Sequence, residues 1–238
     1  MPLTPEQEWT LIACGLVAHA DGVLKEGECD QVLAMIDERL PPDEHERWTR
    51  LLSDRAALRR HVDDLPPLLP LFHEPLFERV WAMALADGEV GPDELRVVDE
   101  VAALVGADPD DLATWRDAWT HDAALMAEHK ASFAALLIHH DGTIDEAEAV
   151  RFHSLVERMP VPRERRAAML ELLRAPPTID HVGARLAALP RDRRLEILRA
   201  IAPLVSASQQ EALGRAFFLD LAAQAGLDPA AAARLLDI

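Results

Sequence analysis

The chain has 238 residues, of which 50% are hydrophobic and 28% are charged, a composition typical of a folded protein with a sizeable core. Its net charge of −18 excludes a nucleic-acid partner, because nucleic-acid binding needs a basic surface. No apolar run approaches the ~18 residues of a membrane-spanning helix and the N-terminal residues do not form a secretory signal, so we expect a cytoplasmic protein without membrane insertion.

Six segments predict helices, because apolar residues recur in them every three or four positions. In chain order they are residues 10–20, 30–40, 76–86, 94–106, 132–140 and 149–159. Prolines break the chain between several of these segments, as at residues 41–42, 66–67 and 160–162. No segment shows the alternation of a strand, so we predict an all-α fold.

The charge is distributed unevenly along the chain. Residues 1–120 contain 10 Lys and Arg against 26 Asp and Glu, whereas residues 121–238 contain 14 against 16. The second half is locally basic at Arg163, Arg165, Arg166, Arg185, Arg191, Arg193 and Arg194. Either these arginines are solvated helix faces, or they contact an acidic protein partner or the acidic first half of another copy.

An acidic turn motif, Asp-Gly-x-aliphatic-x-x-x-Glu, occurs three times between predicted helices. The three stretches are HADGVLKEGE, LADGEVGPDE and HHDGTIDEAE. Because carboxylate oxygens are the ligands that hard divalent cations prefer, the acidic residues of the motif are candidate metal ligands. These candidates are Asp21, Glu28, Asp87, Glu94, Asp141 and Glu148.

The second half of the chain aligns with the first without a gap after a shift of 120 residues. The coinciding pairs include His19 and His139, Asp21 and Asp141, Glu28 and Glu148, and Gly106 and Gly226. Matches spread over the whole length indicate an internal repeat. We therefore predict two tandem helical domains, residues 1–120 and 121–238.

The fourth turn has lost its acids. The same shift carries Asp87 onto Ala207 and Glu94 onto Gly214, while helical spacing continues on both sides. The acids are therefore not needed for the fold, and the second domain is predicted to be a degenerate copy with a weaker half-site.

Most of the motif follows from helix chemistry. The glycine ends one helix in a left-handed conformation. In the third turn Asp145 can cap the next helix and Glu148 can bond back to the cap, and in the second turn Gly91 and Glu94 hold the same places. The glycine and the glutamate thus need no metal.

The aspartate of the motif needs a different explanation. In the last turn of a helix a carboxylate costs about 0.3–1 kcal/mol, because the helix dipole is negative there. A local Asx-turn, a nearby basic side chain or a bound cation can each compensate. All three alternatives are open from the sequence.

A self-contained EF-hand loop is excluded. With Asp141 at the fifth loop position, the first and third positions are Leu137 and His139, and the other two turns also lack acids there. An ion would therefore be shared between turns, with all-oxygen ligands that favour Ca²⁺, Mg²⁺ or Mn²⁺ over Zn²⁺.

At these residues the chain resembles the TerB-like family of bacterial helical domains. HADGVLKEGE and LADGEVGPDE are similar to the paired acidic turns of that family, and EVAALVGADPDDL (residues 100–112) to its usual ending. The second half is similar only through HHDGTIDEAE and AGLDP, and Lys25 and Gly27 depart from the motif. The resemblance implies a link to tellurite resistance and stress response, divalent cation binding by the acidic turns, and no enzymatic chemistry.

No motif supports an enzyme or an organic cofactor, since a G-x-S-x-G elbow, a P-loop and a G-x-G-x-x-G loop are all missing. The best zinc cluster is His139 and His140 beside Asp141, with His153 further on, but it lacks the usual ligand spacing. We predict a non-enzymatic protein that binds a divalent cation and a protein partner. The alternative is a metal-free helical scaffold for protein–protein interaction.

Overall fold

The computed structural model describes residues 3–22, 40, 42–140, 142–206 and 211–236. These residues form α-helices, two short 3₁₀ turns and no strand, which confirms the predicted all-α fold. The predicted helix over residues 30–40 lies almost entirely outside the described residues. None of the described helices is long and apolar enough to cross a membrane.

The chain divides into two compact units, Met1–Asp122 and Ala123–Ile238. The described helices of the first unit are α1 (Pro5–Ala18), α2 (Pro42–Leu52), α3 (Arg55–Val62), α4 (His73–Ala84) and α5 (Pro92–Val105). A long helix, α6 (Pro109–Ile138), begins in the first unit and ends in the second.

Helix α1 is the centre of the first unit. Its residues from Trp9 to Ala18 are all buried, and it packs against α2, α3, α4 and α5. Gly15 permits the close approach of α2 and α3, because a Cβ atom there would lie 2.8 Å from Leu52 Cδ2 and 3.2 Å from Leu58 Cδ1. Thr4 and Gln7 form a capping box at the start of the helix.

The second unit is built around an aromatic pair. Phe133 and Phe218 are fully buried and stack with ring centroids 5.6 Å apart. The described helices that follow α6 are α7 (Glu146–Glu157), α8 (Arg163–Leu170), α9 (Ile179–Ala187), α10 (Arg191–Ser206), α11 (Glu211–Gln224) and α12 (Pro229–Leu236). Helix α10 packs against α11 and α12, and α9 packs against α11.

Both units contain the same helix-ending turn. Gly106 and Gly226 have φ angles of 73° and 72°, in the left-handed region that favours glycine. The aspartate two residues later, Asp108 or Asp228, accepts a hydrogen bond from the backbone N–H two residues further on. The residues that coincide in the 120-residue shift thus have the same local geometry here.

Candidate functional site

The three acidic turns share one backbone geometry. The φ angle is 82° at Gly22, 90° at Gly88 and 78° at Gly142. Each glycine N–H donates to the carbonyl three residues earlier, at 3.2, 2.8 and 3.0 Å respectively. An L side chain is strained at these φ values, so the predicted left-handed conformation of the glycines is confirmed. The glycines do not end the preceding helices as predicted, because α1 and α4 are already capped at His19 and Leu85, three residues before Gly22 and Gly88.

The glutamates of the second and third turns are buried and accept hydrogen bonds from backbone N–H groups of their own turns. The Gly91 N–H donates to Glu94 Oε2, and the Asp145 N–H donates to Glu148 Oε2 at 3.1 Å. Glu148 N–H in turn donates to Asp145 Oδ1 at 2.7 Å. The side chains of Glu94 and Glu148 are only 4% and 8% exposed. The predicted capping interactions are therefore present in both turns.

The aspartates lie nearer the surface. Asp21 is exposed and Asp87 is half-buried, and Asp87 Oδ1 accepts the Glu89 N–H at 3.1 Å in an Asx-turn. The prediction that the aspartates lie in the last helical turn is wrong, because α1 ends at Ala18 and α4 at Ala84, three residues earlier. Past each of these helix ends, two N–H groups donate to the carbonyl three residues earlier: those of Ala20 and Gly22 after α1, and those of Ala86 and Gly88 after α4.

The described candidate ligands do not form a complete metal centre. Among the residues that the structure describes, no three His, Cys, Asp or Glu side chains lie close enough together to hold an ion. Glu28 and Asp141 lie outside the described residues, so this observation covers the other four predicted ligands. The four described carboxylates therefore do not form a metal site by themselves.

Two histidines connect the acidic turns to distant backbone carbonyls through hydrogen bonds. The sequence did not predict this role. The His19 Nε2–H donates to the Leu52 carbonyl at 2.8 Å, and the His139 Nε2–H donates to the Leu173 carbonyl at 2.9 Å. Each histidine lies two residues before the aspartate of its turn. The coincidence of His19 with His139 in the 120-residue shift was the available signal.

The first unit is matched by a known family. The family model described as tellurite resistance protein TerB matches residues 7–117. The chain carries a TerB domain. The match spans both acidic turns of the first unit, so the resemblance drawn from HADGVLKEGE and LADGEVGPDE is confirmed. The second, degenerate TerB-like copy lies beyond the match and stays a prediction. The chain matches no curated protein and no solved structure.

Arginines beside the second turn of the TerB domain form ion pairs on the helix surface. Arg96 contacts Asp93 at 3.1 Å and Glu100 at 2.9 Å, and Arg59 contacts Glu100 at 2.9 Å. Exposed pairs of this kind contribute little to stability. The guanidinium groups of Arg59 and Arg96 are thus paired with carboxylates. Because residues 1–120 contain 26 Asp and Glu against 10 Lys and Arg, the electrostatic field of the TerB domain is dominated by carboxylates.

Proposed function

We propose that this protein is a non-enzymatic, cytoplasmic TerB-domain protein of the tellurite-resistance and stress-response type. Its TerB domain binds a hard divalent cation, Ca²⁺, Mg²⁺ or Mn²⁺, between its two acidic turns. Asp21 and Asp87 are the principal ligands, and Glu28 and Glu94 belong to the same site. In the second unit Asp141 and Glu148 would be a weaker half-site.

The observation that carries this proposal is the different placement of the two acids within one turn. Glu94 is buried and bonds to the backbone at the start of α5, so it holds the turn rigid. Asp87 lies at the edge of the same turn and reaches solvent. A rigid turn that presents a carboxylate to solvent is suited to ion binding, because little conformational entropy is lost when the ion arrives.

The two turns also belong to one packed unit. The helices that lead into them, α1 and α4, pack against each other, and α1 also packs against α5. An ion shared between the turns would offset the mutual repulsion of their carboxylates, which is the usual reason why acidic residues gather around Ca²⁺.

Calorimetric titration of the EDTA-treated full chain with Ca²⁺, Mg²⁺ and Mn²⁺ tests the proposal. We expect one saturable site, and at least tenfold weaker binding in the double variant Asp21→Asn/Asp87→Asn. Asparagine keeps an acceptor for the Asx-turn and removes the charge. The matched control is Asp63→Asn/Asp64→Asn, an exposed acidic pair of the same domain outside the turns. Equal affinity in both double variants would reject the site.

A second candidate function is a metal-free helical scaffold, and the hydrogen bonds of the turns favour it. Asp87 accepts the Glu89 N–H and Glu94 accepts the Gly91 N–H, so both carboxylates have a structural use. If the acids are purely structural, Asp87→Asn changes stability slightly and leaves every cation titration without heat. The titration above therefore separates the two functions.

We also propose that a protein partner is bound, and an arginine-lined groove in the second unit supports this. The guanidinium groups of Arg165 and Arg185 each lie 3.6 Å from Glu128, and Met169 and Leu172 line the same groove. Two guanidinium groups around one carboxylate leave an excess of positive charge that suits an acidic partner, including the TerB domain of a second copy.

Sedimentation of the full chain at low and high salt tests self-association through this groove. We expect a larger mass at low salt, and a monomer mass at both salt concentrations for Arg165→Glu/Arg185→Glu. The same monomer mass for the wild-type chain at both salt concentrations would rule out self-association through these charges.

A further inference from the structure

The arginine-lined groove of the second unit combines charged, hydroxyl and apolar side chains from α6, from α8 with the 3₁₀ turn after it, and from α9. They include Glu128, Ser132, Arg165, Met169, Leu172 and Arg185. The groove has a volume of about 250 Å³, that of roughly eight water molecules at ~30 Å³ each. It therefore has room for a few side-chain groups of a ligand and not for a whole helix.

The two guanidinium groups of the groove make only long contacts with Glu128. Arg165 Nη1 lies 3.6 Å from Glu128 Oε1, and Arg185 Nη2 lies 3.6 Å from Glu128 Oε2. A charge-assisted hydrogen bond from a guanidinium to a carboxylate is about 2.7–2.9 Å long, so these contacts are ion pairs without a hydrogen bond. Among the residues that the structure describes, neither guanidinium has a closer carboxylate.

Glu128 occupies the place that a ligand carboxylate would take. One of its oxygens faces each guanidinium, as in the recognition of a carboxylate by two arginines. Its side chain is 45% exposed, and exposed ion pairs contribute little to stability, so Glu128 can turn into solvent at low cost. A carboxylate that forms true hydrogen bonds with both arginines would displace it.

The apolar side of the groove selects what is attached to such a carboxylate. Arg165, Met169 and Leu172 are spaced by four and three residues, which places them on one face of α8 and the turn that follows it. Met169 is buried and Leu172 is half-buried. A thioether side chain adapts its shape to an apolar partner. A small inorganic anion would leave this wall uncovered, whereas an aliphatic group beside the carboxylate covers it.

We propose that the groove recognises an acidic peptide segment in which a Glu or Asp is followed by an aliphatic residue, and that Glu128 competes with this ligand. The ligand carboxylate binds between Arg165 and Arg185, and the aliphatic side chain packs on Met169 and Leu172. This inference rests on the partner binding proposed above. It adds the chemistry of the segment that enters the groove and the residue of this chain that the segment displaces.

Calorimetric titration of the full chain with the acetylated and amidated peptide Ala-Glu-Leu-Leu-Ala tests the proposal. We expect saturable binding at millimolar peptide or below, and at least tenfold weaker binding in Arg165→Gln/Arg185→Gln. Glu128→Gln should bind the peptide at least threefold more tightly, because the competing charge is gone. The matched controls are Arg174→Gln and Glu171→Gln, which remove an exposed ion pair outside the groove and should leave the affinity unchanged. Circular dichroism checks the fold of each variant.

Two altered peptides and a free acid test the chemistry of the ligand. The peptide with Gln in place of Glu should not bind, and the peptide with Ser in place of both Leu should bind at least fivefold more weakly. Hexanoate that binds as tightly as the peptide would assign the groove to free carboxylic acids and overturn the proposal. No binding of the peptide at millimolar concentration, equal binding of the Gln peptide, or unchanged affinity in Glu128→Gln would overturn it too.

The sedimentation experiment has a separate outcome. Peptide binding by a chain that stays monomeric at both salt concentrations would support this inference and reject only self-association. Self-association of a chain that does not bind the peptide would overturn this inference and leave the proposed partner binding in place.

Discussion

The two units use the same turn chemistry but place different groups beside it. In the TerB domain Glu94 is buried and bonds to the backbone of its own turn. At the corresponding position of the second unit Gly214 has no side chain, and the imidazole of His140 lies next to it. The left-handed glycine and the capping glutamate are present in both units. The backbone of such a turn can therefore stay the same while the side chains beside it change.

The cores of the two units contain different residues at positions that coincide after the 120-residue shift. Phe133 and Phe218 stack in the second unit, whereas the shift pairs them with Ala13 and Val98, which are fully buried in the TerB domain. Gly15 in the TerB domain is paired with Ala135. Each core therefore packs around its own large and small residues, and substitutions at these positions should act on one unit more than on the other.

The largest effect is expected from Phe133→Ala, which removes one ring of the buried stack. Loss of a buried aromatic side chain costs about 3–5 kcal/mol of unfolding free energy. Urea denaturation followed by circular dichroism measures the loss, while fluorescence reports on the first unit, where all five tryptophans lie. The exposed control Val150→Ala should change stability by less than about 0.5 kcal/mol. Equal shifts of both signals would show that the two units unfold together.

Gly15→Val should have the next largest effect and act on the TerB domain. The added side chain overlaps Leu52 and Leu58, and overpacking of this kind costs about 1–3 kcal/mol. Tryptophan fluorescence during urea denaturation measures it. Ala103→Val, on the exposed face of α5, is the control for adding the same residue to a helix surface. A variant as stable as Ala103→Val would show that α1 is not closely packed at Gly15.

Equal, smaller effects are expected at the two capping glutamates. Glu94→Ala and Glu148→Ala each remove a buried acceptor from a backbone N–H, at a cost of about 1–2 kcal/mol. Glutamine at either position should recover most of this, since it can form the same bond. Denaturation in EDTA measures the structural part alone. A much larger loss at one glutamate than at the other would break the equivalence of the two turns.

The smallest effect concerns His129, a buried residue of the second unit. Burial lowers the pKa of His129 below its ordinary value of 6.5, and the positive charge of Arg185 lowers it further against the opposing effect of Glu128. The unfolded chain therefore takes up a proton first as pH falls through 6.5, so stability contributed by neutral His129 is present above that pH and is lost below it.

Stability measured at about pH 7 and about pH 5 checks this sign. The decrease on acidification should be smaller in His129→Gln than in the wild-type chain. His121→Gln, at an exposed histidine, should show the wild-type decrease. An identical pH dependence in all three proteins would mean that His129 does not titrate differently in the folded and unfolded chains.

Much of the site could be predicted because its chemistry is local. Gly88 must adopt positive φ, and Glu94 and Glu148 lie three residues from the backbone N–H groups that they accept. Helical periodicity likewise depends on near neighbours, and it predicted an all-α fold that the described residues confirm. The position of Asp87 was predicted less well, because N–H bonds to the third preceding carbonyl replaced the last helical turn.

The sequence by itself determined the helices, the turns with their caps and the TerB character of the first unit, since each depends on residues close together in the chain. Only the tertiary structure decided what surrounds the turns. His19 bonds to a carbonyl 33 residues away and His139 to one 34 residues away. The tertiary structure also decided that Glu148 is buried and that His140 lies next to Gly214. These contacts join residues distant in sequence, and packing of whole helices is what brings them together.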